Sequence, residues 1–179
     1  TGLTMHREAT TVDVAVIGAG AAGMMCAAAA GQRGRRVLLI DHYPKLGETD
    51  YAPYLTKIRQ SKAKAVFAFF SGTDAVNFVK QYDQFGLKQQ VKLTGAGFLT
   101  EPDVLPAQGQ AALGVITGHF YTPLLDNPTN QRFVKEFRDK FAGKMPDGFA
   151  CQGYDTAEVI VRTVKAVNGN TQDKDKLVD

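Results

Sequence analysis

Six consecutive residues near the start of the chain have the types and spacing of a phosphate-binding loop, with glycine at the first, third and sixth positions. Gly18 permits a tight turn, Gly20 lets the backbone approach a pyrophosphate, and Gly23 lets a helix pack closely against a strand. The amino end of that helix offers N–H groups and a positive dipole end to phosphates. The pattern predicts a dinucleotide-binding loop made of Gly18, Ala19, Gly20, Ala21, Ala22 and Gly23.

Asp41 would complete this site, because an acid after the second strand can accept hydrogen bonds from ribose hydroxyls. The elements that position it are short. Residues 12–17 (VDVAVI) predict a buried strand, the Ala-rich and Met-rich residues 21–33 predict a helix, and residues 37–40 predict a second strand. This is a β-α-β unit. The alternative is that the glycines only allow close packing of helix on strand, without present-day binding.

Catalytic chemistry is not indicated by the remaining residues. We find no nucleophile with an adjacent base, no paired carboxylates at a defined spacing and no set of metal ligands. The two cysteines and three histidines are isolated in the sequence, and Cys26 lies in an Ala-rich stretch where a small buried side chain is expected. The sequence therefore predicts no catalytic residue and no metal site, and it gives little support for an enzyme.

Charge and hydropathy exclude two further classes of partner. The formal net charge is +3, and the Lys and Arg residues are scattered among acidic ones, so nucleic acid binding has little electrostatic support. No apolar run approaches the length of a membrane span, and residues 1–11 lack the apolar core of a signal peptide. As written, the sequence predicts a soluble cytoplasmic chain without a membrane span.

Alternation of strands and helices continues after residue 50. Residues 65–70, 91–94 and 114–121 predict three more strands, and residues 52–61 and 74–85 predict the helices between them. Two further helices are predicted at residues 128–141 and 151–167. The expected fold is α/β: a three-layer αβα arrangement around a mostly parallel, Rossmann-like sheet of about five strands, as a single domain over residues 1–179 with two C-terminal helices.

Residues 13–48, which include VAVIGAGAAGMMCAAAAGQRGRRVLLIDH and KLGE, resemble the dinucleotide-binding β-α-β of BaiN-type flavoprotein oxidoreductases. This resemblance implies FAD or NAD(P) as cofactor and an oxidoreductase fragment as one interpretation of the chain. The segment that wraps the cofactor, the substrate domain and the second FAD contact of that family have no counterpart in this sequence.

Residues 49–179 resemble the periplasmic solute-binding proteins of branched-chain amino acid type ABC transporters. The segments that carry the resemblance are TDYAPYLTKIRQSKAKAVFAFFSGTDAVNFVKQYDQFGLK, TGAGFLTEPDVLPAQGQAALGVITGHFYTPLLDNP and PDGFACQGYDTAEVIVRTVKAVNGNTQ. The acid that holds the ligand amino group in some relatives has no clear counterpart at residues 95–97. An alternative for Phe69 and Phe70 is strand core. The resemblance implies ligand contacts from Phe70, Ser71, Gly72, Gly95, Gly97 and Phe98.

Together the two resemblances predict a hybrid joined near Glu48, with no complete active site. A recombined or engineered chimera is the first explanation, a natural fusion the second and a sequence assembled in error the third. Its expected role is at most to bind a small molecule or nucleotide at the carboxyl edge of the sheet. The alternatives are the oxidoreductase fragment and an amino acid binding component of an ABC transporter, which would be periplasmic. The two C-terminal helices are expected to fold back onto the sheet or to pair in a homodimer, burying Phe133, Phe137, Phe141, Val159 and Val164.

Overall fold

The computed structural model describes residues 11–17, 21–40, 49–172 and 174–178. The chain divides into two compact units, Thr1–His119 and Phe120–Asp179. We call them the sheet unit and the helical unit. The expectation that the whole chain forms one domain stays a prediction.

The sheet unit contains one parallel sheet of five strands in the order β2-β1-β3-β4-β5 within the described residues. Val14 and Ile17 of β1 pair with Ala65 and Ala68 of β3, so the two strands predicted on either side of residue 48 lie in one sheet. The predicted fold class is therefore confirmed. The strands are β1 (Val14–Ile17), β2 (Val37–Ile40), β3 (Ala65–Ala68), β4 (Lys92–Ala96) and β5 (Ile116–Gly118).

The helices of the sheet unit connect successive parallel strands. Right-handed crossovers place the helix between β1 and β2 on one face, and those leading to β3 and β4 on the other. The helices are α1 (Ala21–Gln32), α2 (Ala52–Ser61), α3 (Gly72–Gln84) and the short α4 (Leu105–Gln108), and single 3₁₀ turns cover Gly97–Thr100 and Gly109–Ala112.

The core of the sheet unit lies between the sheet and helices α2 and α3. Leu55 and Ile58 of α2, and Phe78 of α3, are fully buried and share a cluster with Val66 of β3. Both helices are amphipathic and turn their apolar side chains to the sheet. This packing fixes where β3 ends and where the chain after it emerges.

The helical unit contains α5 (Pro128–Lys140), α6 (Gly148–Ala166) and the short α7 (Lys174–Val178). Its buried aromatic contacts link the first two helices: the rings of Phe133 and Tyr154 are 4.7 Å apart. Side-chain oxygens begin both helices. Asn127 accepts from the N–H of Asn130 at 2.8 Å, and Asp147 accepts from the N–H of Ala150 at 2.7 Å.

Several predicted boundaries differ from the structure. The predicted strand 65–70 ends at Ala68, because Phe69 and Phe70 lead into α3, which begins at Gly72 rather than at residue 74. The predicted strand 114–121 covers only Ile116–Gly118, since β5 pairs with β4 over three residues at the sheet edge. Helix α6 begins at Gly148, not at residue 151, because Asp147 caps it.

Candidate ligand-binding site at the carboxyl edge of the sheet

The carboxyl ends of β3, β4 and β5 lie along one edge of the sheet unit. The chain moves from β1 outward to β2 and then returns past β1 to β3, so the strand order reverses between β1 and β3. In open parallel sheets, ligands bind beyond the carboxyl ends of the strands near such a reversal. The first described residues after β3 therefore stand at the expected position for a ligand.

Three rings form a row along this edge, and we call Phe69, Phe98 and His119 the aromatic shelf. The ring centroids of Phe69 and Phe98 are 5.7 Å apart, and those of Phe98 and His119 are 4.9 Å apart, both in edge-to-face geometry. Phe69 is 46% exposed even though it directly follows a buried strand. An exposed aromatic face at a sheet edge suits a flat, apolar part of a ligand.

Phe70 lies in the core instead. Its side chain is 9% exposed, and its ring centroid is 4.7 Å from that of Phe78 and 5.3 Å from that of Tyr51. Successive side chains of extended chain point to opposite sides, so burial of Phe70 turns Phe69 outward. The structure thus agrees with the strand-core alternative for Phe70 but not for Phe69, which was left out of the predicted ligand contacts. A direct ligand contact by Phe70 stays a prediction.

Ser71 and Gly72 lie where α3 begins, at the same edge. Ser71 is the exposed N-cap residue, with extended backbone, and its hydroxyl makes no capping hydrogen bond. Gly72 has a left-handed φ of 54°, and no heavy atom lies within 4 Å of a Cβ built there. The first N–H groups of a helix have no partner within it and carry the positive dipole end. These donors can receive a small anion such as a carboxylate.

The two glycines predicted as ligand contacts in the next loop have packing roles. A Cβ on Gly95 would lie 2.4 Å from the carbonyl oxygen of Ala68 and 2.8 Å from the Leu99 side chain. A Cβ on Gly97 would fall 2.1 Å from Cγ of His119. Gly97 therefore makes the space that the imidazole occupies. A direct ligand contact by either glycine stays a prediction.

His119 pairs with a carboxylate that linear spacing did not reveal. Its Nε2 is 2.7 Å from Oε1 of Glu101, and the two side chains are 14% and 5% exposed. The pairing of β4 with β5 ends with Ala96 opposite Gly118, and directly after it Gly97 lies next to the His119 side chain. No spacing rule in the sequence could indicate this contact.

The turn between β4 and α4 is fixed to its surroundings. The hydroxyls of Thr100 and Thr117 are 2.9 Å apart, and Nε2 of the buried Gln108 donates to the carbonyl oxygen of Leu99 at 2.8 Å. Buried carboxylates need donors or a counter-charge. These hydrogen bonds join the two residues before Glu101 to β5 and to α4.

Only part of the predicted cofactor loop lies within the described residues. Gly18, Ala19, Gly20 and Asp41 lie outside the described residues, whereas Ala21, Ala22 and the buried Gly23 form the first turn of α1. The β-α-β unit itself is confirmed, with β1 and β2 parallel and paired from Val14 with Val37 to Ile17 with Ile40. Binding of FAD or NAD(P) stays a prediction.

Both cysteines are partly buried free thiols. Burial raises the pKa of Cys26, and burial together with the nearby Asp155 carboxylate raises the pKa of Cys151. A raised pKa reduces the thiolate population at neutral pH, so neither side chain has the environment of a reactive cysteine. Among the described helices, none is sufficiently long and apolar to cross a bilayer.

Comparison with known proteins gives matches over most of the chain. The Leu/Ile/Val-binding protein homolog 6 of Brucella melitensis is 37% identical over 127 residues, which are 69% of this chain and 33% of that protein. An ABC transporter substrate-binding protein from Sphaerobacter thermophilus is 33% identical with a TM-score of 0.79, covering 93% of this chain and 47% of that one. A solute-binding protein of an R. palustris ABC transporter, solved with benzoate, is also 33% identical with a TM-score of 0.79, covering 92% and 46%.

The chain therefore spans less than half the length of these relatives. A separate short match is 69% identical over 35 residues to the ribosomal RNA dihydrouridine synthase of Escherichia coli, which is 20% of this chain and 9% of that protein.

The family model for the periplasmic binding protein matches residues 11–179, which include the segment that resembles flavoproteins. It therefore gives no support for a boundary near Glu48. A hybrid or engineered origin stays a prediction, whereas the resemblance to solute-binding proteins is confirmed and extends to residue 11. The chain belongs to the periplasmic binding protein family.

Proposed function

We propose that this chain is a ligand-binding lobe of the substrate-binding component of an ABC transporter, acting in the periplasm. The observation that carries the proposal is the aromatic shelf, which stands beside the reversal of strand order in a sheet of this family. The relatives of similar sequence are about twice as long, so the chain would supply one wall of the binding site.

We propose aromatic carboxylates as the ligand class. The shelf offers ring faces to a planar ligand, and Ser71 with the amino end of α3 offers donors to its carboxylate. The R. palustris relative was solved with benzoate. Glycines at 95 and 97, with Ala96 between them, provide no side-chain acid for the amino group of an amino acid.

Binding of sodium benzoate by titration calorimetry tests the proposal, with leucine measured in parallel. The Phe69→Ala variant should bind benzoate about 2 to 13 times more weakly, because an aromatic pair contributes roughly 0.5–1.5 kcal/mol. Phe149→Ala is the matched control, since this exposed phenylalanine belongs to the helical unit. Equal losses in both variants, or no benzoate binding at concentrations of roughly 10 mM, would rule the proposal out.

A second candidate function is nucleotide binding by the glycine loop. The confirmed β1-α1-β2 unit supports it, because the loop between β1 and α1 begins at the strand next to the reversal of strand order. FAD and NAD(P) are the proposed ligands. Each should raise the melting temperature when supplied well above its dissociation constant, and Gly20→Val should remove the shift. Benzoate binding unaffected by Gly20→Val would separate the two sites.

A further inference from the structure

Exposed cationic side chains are concentrated at the amino edge of the sheet, opposite the candidate ligand site. Strands β1 to β4 are parallel, so the residues at the start of each strand meet at that edge. In the sequence these cations come from three separate stretches, which the strand pairing brings together. We call the following six exposed residues the basic edge: Arg33, Arg35, Arg36, Lys62, Lys64 and Lys92.

Backbone hydrogen bonds hold part of the basic edge in a row. The N–H of Asp13 donates to the carbonyl oxygen of Arg36 at 2.8 Å. The N–H of Lys64 donates to the carbonyl oxygen of Asp13 at 3.1 Å, and the N–H of Lys92 donates to that of Lys64 at 3.3 Å. Neighbouring strands lie roughly 4.8 Å apart, so a row across the four strands β2-β1-β3-β4 is roughly 14 Å long. The main chain therefore fixes where these cations stand.

Little negative charge offsets the basic edge. Asp13 lies within it, 3.9 Å from Nζ of Lys64, and the backbone N–H of Arg36 together with the nearby cations lowers the pKa of this carboxyl. Asp83, near the end of α3, is paired with Lys88 at 3.9 Å. Among the described residues, six cations and the one carboxylate of Asp13 thus leave this edge with a net charge of +5. The other described acids of the sheet unit lie toward the carboxyl edge, and they are Asp50, Asp74, Glu101 and Asp103.

The composition of the basic edge favours a diffuse negative surface as its partner. A protein interface has an apolar centre within a polar rim, and single-stranded nucleic acids stack on aromatic rings. Among the described residues, no exposed large apolar side chain lies between these cations, and the exposed Leu113 precedes β5 beyond one end of the row. Long, exposed Lys and Arg side chains suit an anionic lipid surface, where each cation strengthens adsorption about fivefold.

We propose that the basic edge adsorbs to the surface of a bilayer that contains anionic phospholipids. This inference goes beyond the proposed function, since it uses no residue of the aromatic shelf. Because the amino and carboxyl ends of parallel strands lie at opposite edges, an adsorbed chain keeps the candidate ligand site turned away from the lipid. Adsorption by charge is reversible and depends on ionic strength, because salt shortens the range of the attraction.

Cosedimentation of the full chain with sucrose-loaded vesicles tests the proposal. The unaltered chain should bind vesicles of equimolar phosphatidylglycerol and phosphatidylcholine, and it should not bind pure phosphatidylcholine. Binding should be lost when the salt concentration rises from roughly 0.01 M to 1 M, which shortens the screening length from roughly 30 Å to 3 Å. A triple variant with Lys62→Gln, Lys64→Gln and Lys92→Gln should bind the anionic vesicles at least about ten times more weakly.

The matched control replaces three exposed lysines of the helical unit, by Lys140→Gln, Lys144→Gln and Lys165→Gln. It has the same net charge as the first variant, and its binding should stay within about a factor of two of that of the unaltered chain. Far-ultraviolet circular dichroism confirms folding. If the change in β4 disturbs folding, a double variant with only Lys62→Gln and Lys64→Gln should still bind at least about five times more weakly.

Equal weakening in the two triple variants would overturn the proposal, since it would assign adsorption to total charge. Absence of binding to the anionic vesicles in low salt would overturn it as well. So would binding to duplex DNA or to polyglutamate at a salt concentration that releases the chain from the vesicles. Benzoate binding should be unchanged in the variant of the basic edge, because the aromatic shelf lies at the opposite edge, so the proposed function is tested separately.

Discussion

The helices of the sheet unit and of the helical unit both carry apolar side chains, but the two units bury these side chains to different extents. In the sheet unit, Leu55, Ile58 and Phe78 are fully enclosed between helices and sheet. In the helical unit, Val159 of α6 is 63% exposed and Phe149 is 56% exposed. A helix needs an opposing surface wide enough for its whole apolar stripe, and a sheet offers more of it than one neighbouring helix does.

The expected burial of five apolar side chains in the helical unit is met only in part. Phe133 is buried and Phe137 and Val164 are half-buried, but Phe141 and Val159 are exposed. The aromatic contacts from Tyr121 through Phe133 to Tyr154 use one side of α5, which leaves much of α6 uncovered. A homodimer through these helices stays a prediction.

The largest test of this comparison replaces one phenylalanine in each unit. Phe78→Ala should lower the free energy of unfolding by about 3–5 kcal/mol, because it removes a fully enclosed ring and leaves a cavity. Phe149→Ala should change it by no more than about 1 kcal/mol, because its side chain is 56% exposed. Urea denaturation measures both. An equal loss of unfolding free energy in the two variants would mean that α6 is covered in solution, as in a dimer. The two units would then not differ in how they bury apolar side chains.

A smaller effect is expected at the start of α5. Asn127→Ala removes the acceptor for the N–H of Asn130 and should cost about 1 kcal/mol, while Asn127→Asp should retain most of the stability. Thermal unfolding followed by circular dichroism checks this. If the alanine and aspartate variants melt at the same temperature, capping is not what holds this helix.

Alkaline pH should distinguish the buried tyrosines of the two units. Burial raises the pKa of Tyr82 far above its ordinary value of 10.0, and burial with nearby Cys151 and Asp147 raises the pKa of Tyr121 to about 12. A raised pKa means that the folded state favours the neutral phenol. The resulting stability is present below pH 10.0 and is lost as pH rises towards the folded pKa values.

Tyr82→Phe should therefore flatten the loss of stability in alkaline solution more than Tyr121→Phe does. At neutral pH it should cost about 1 kcal/mol, because the phenol donates to the carbonyl oxygen of Val91. Denaturation midpoints measured across the alkaline range test this order. The reverse order would show that Tyr121 is the better enclosed of the two.

The smallest effect concerns Asp13 at the start of β1. The backbone N–H of Arg36, at 3.0 Å, and the charges of Lys64, Arg36 and Arg35 lower the pKa of this carboxyl below 3.8. The stability it contributes is present above its ordinary pKa and is lost as pH falls through the lowered value. Asp13→Asn should flatten the acid side of the stability profile slightly. A profile identical to that of the unaltered chain would show that the contact contributes nothing measurable.

Local signals in the sequence predicted most elements. The predicted bounds of β2 and α2 agree with the structure residue for residue. Gly34 ends the helix before β2, Pro53 lies in the first turn of α2, and the apolar residues of both elements are regularly spaced. The starts of α3 and α6 were misplaced by two and three residues, since Ser71 and Asp147 were not recognised as residues that occupy N-cap positions. The site was harder to predict. Phe69 and Phe70 are adjacent and identical in type, and only packing against Phe78 decides which of them is exposed.

The sequence by itself determined the alternation of strands and helices, and with it a parallel sheet whose loops meet at one edge, because hydrophobic period and chain direction are local properties. The tertiary structure alone decided that Glu101 and His119 meet over Gly97, since strand pairing joins residues far apart in the chain. It also decided which apolar side chains find a partner surface. Burial depends on what stands opposite a residue, and the residue's own type does not specify that.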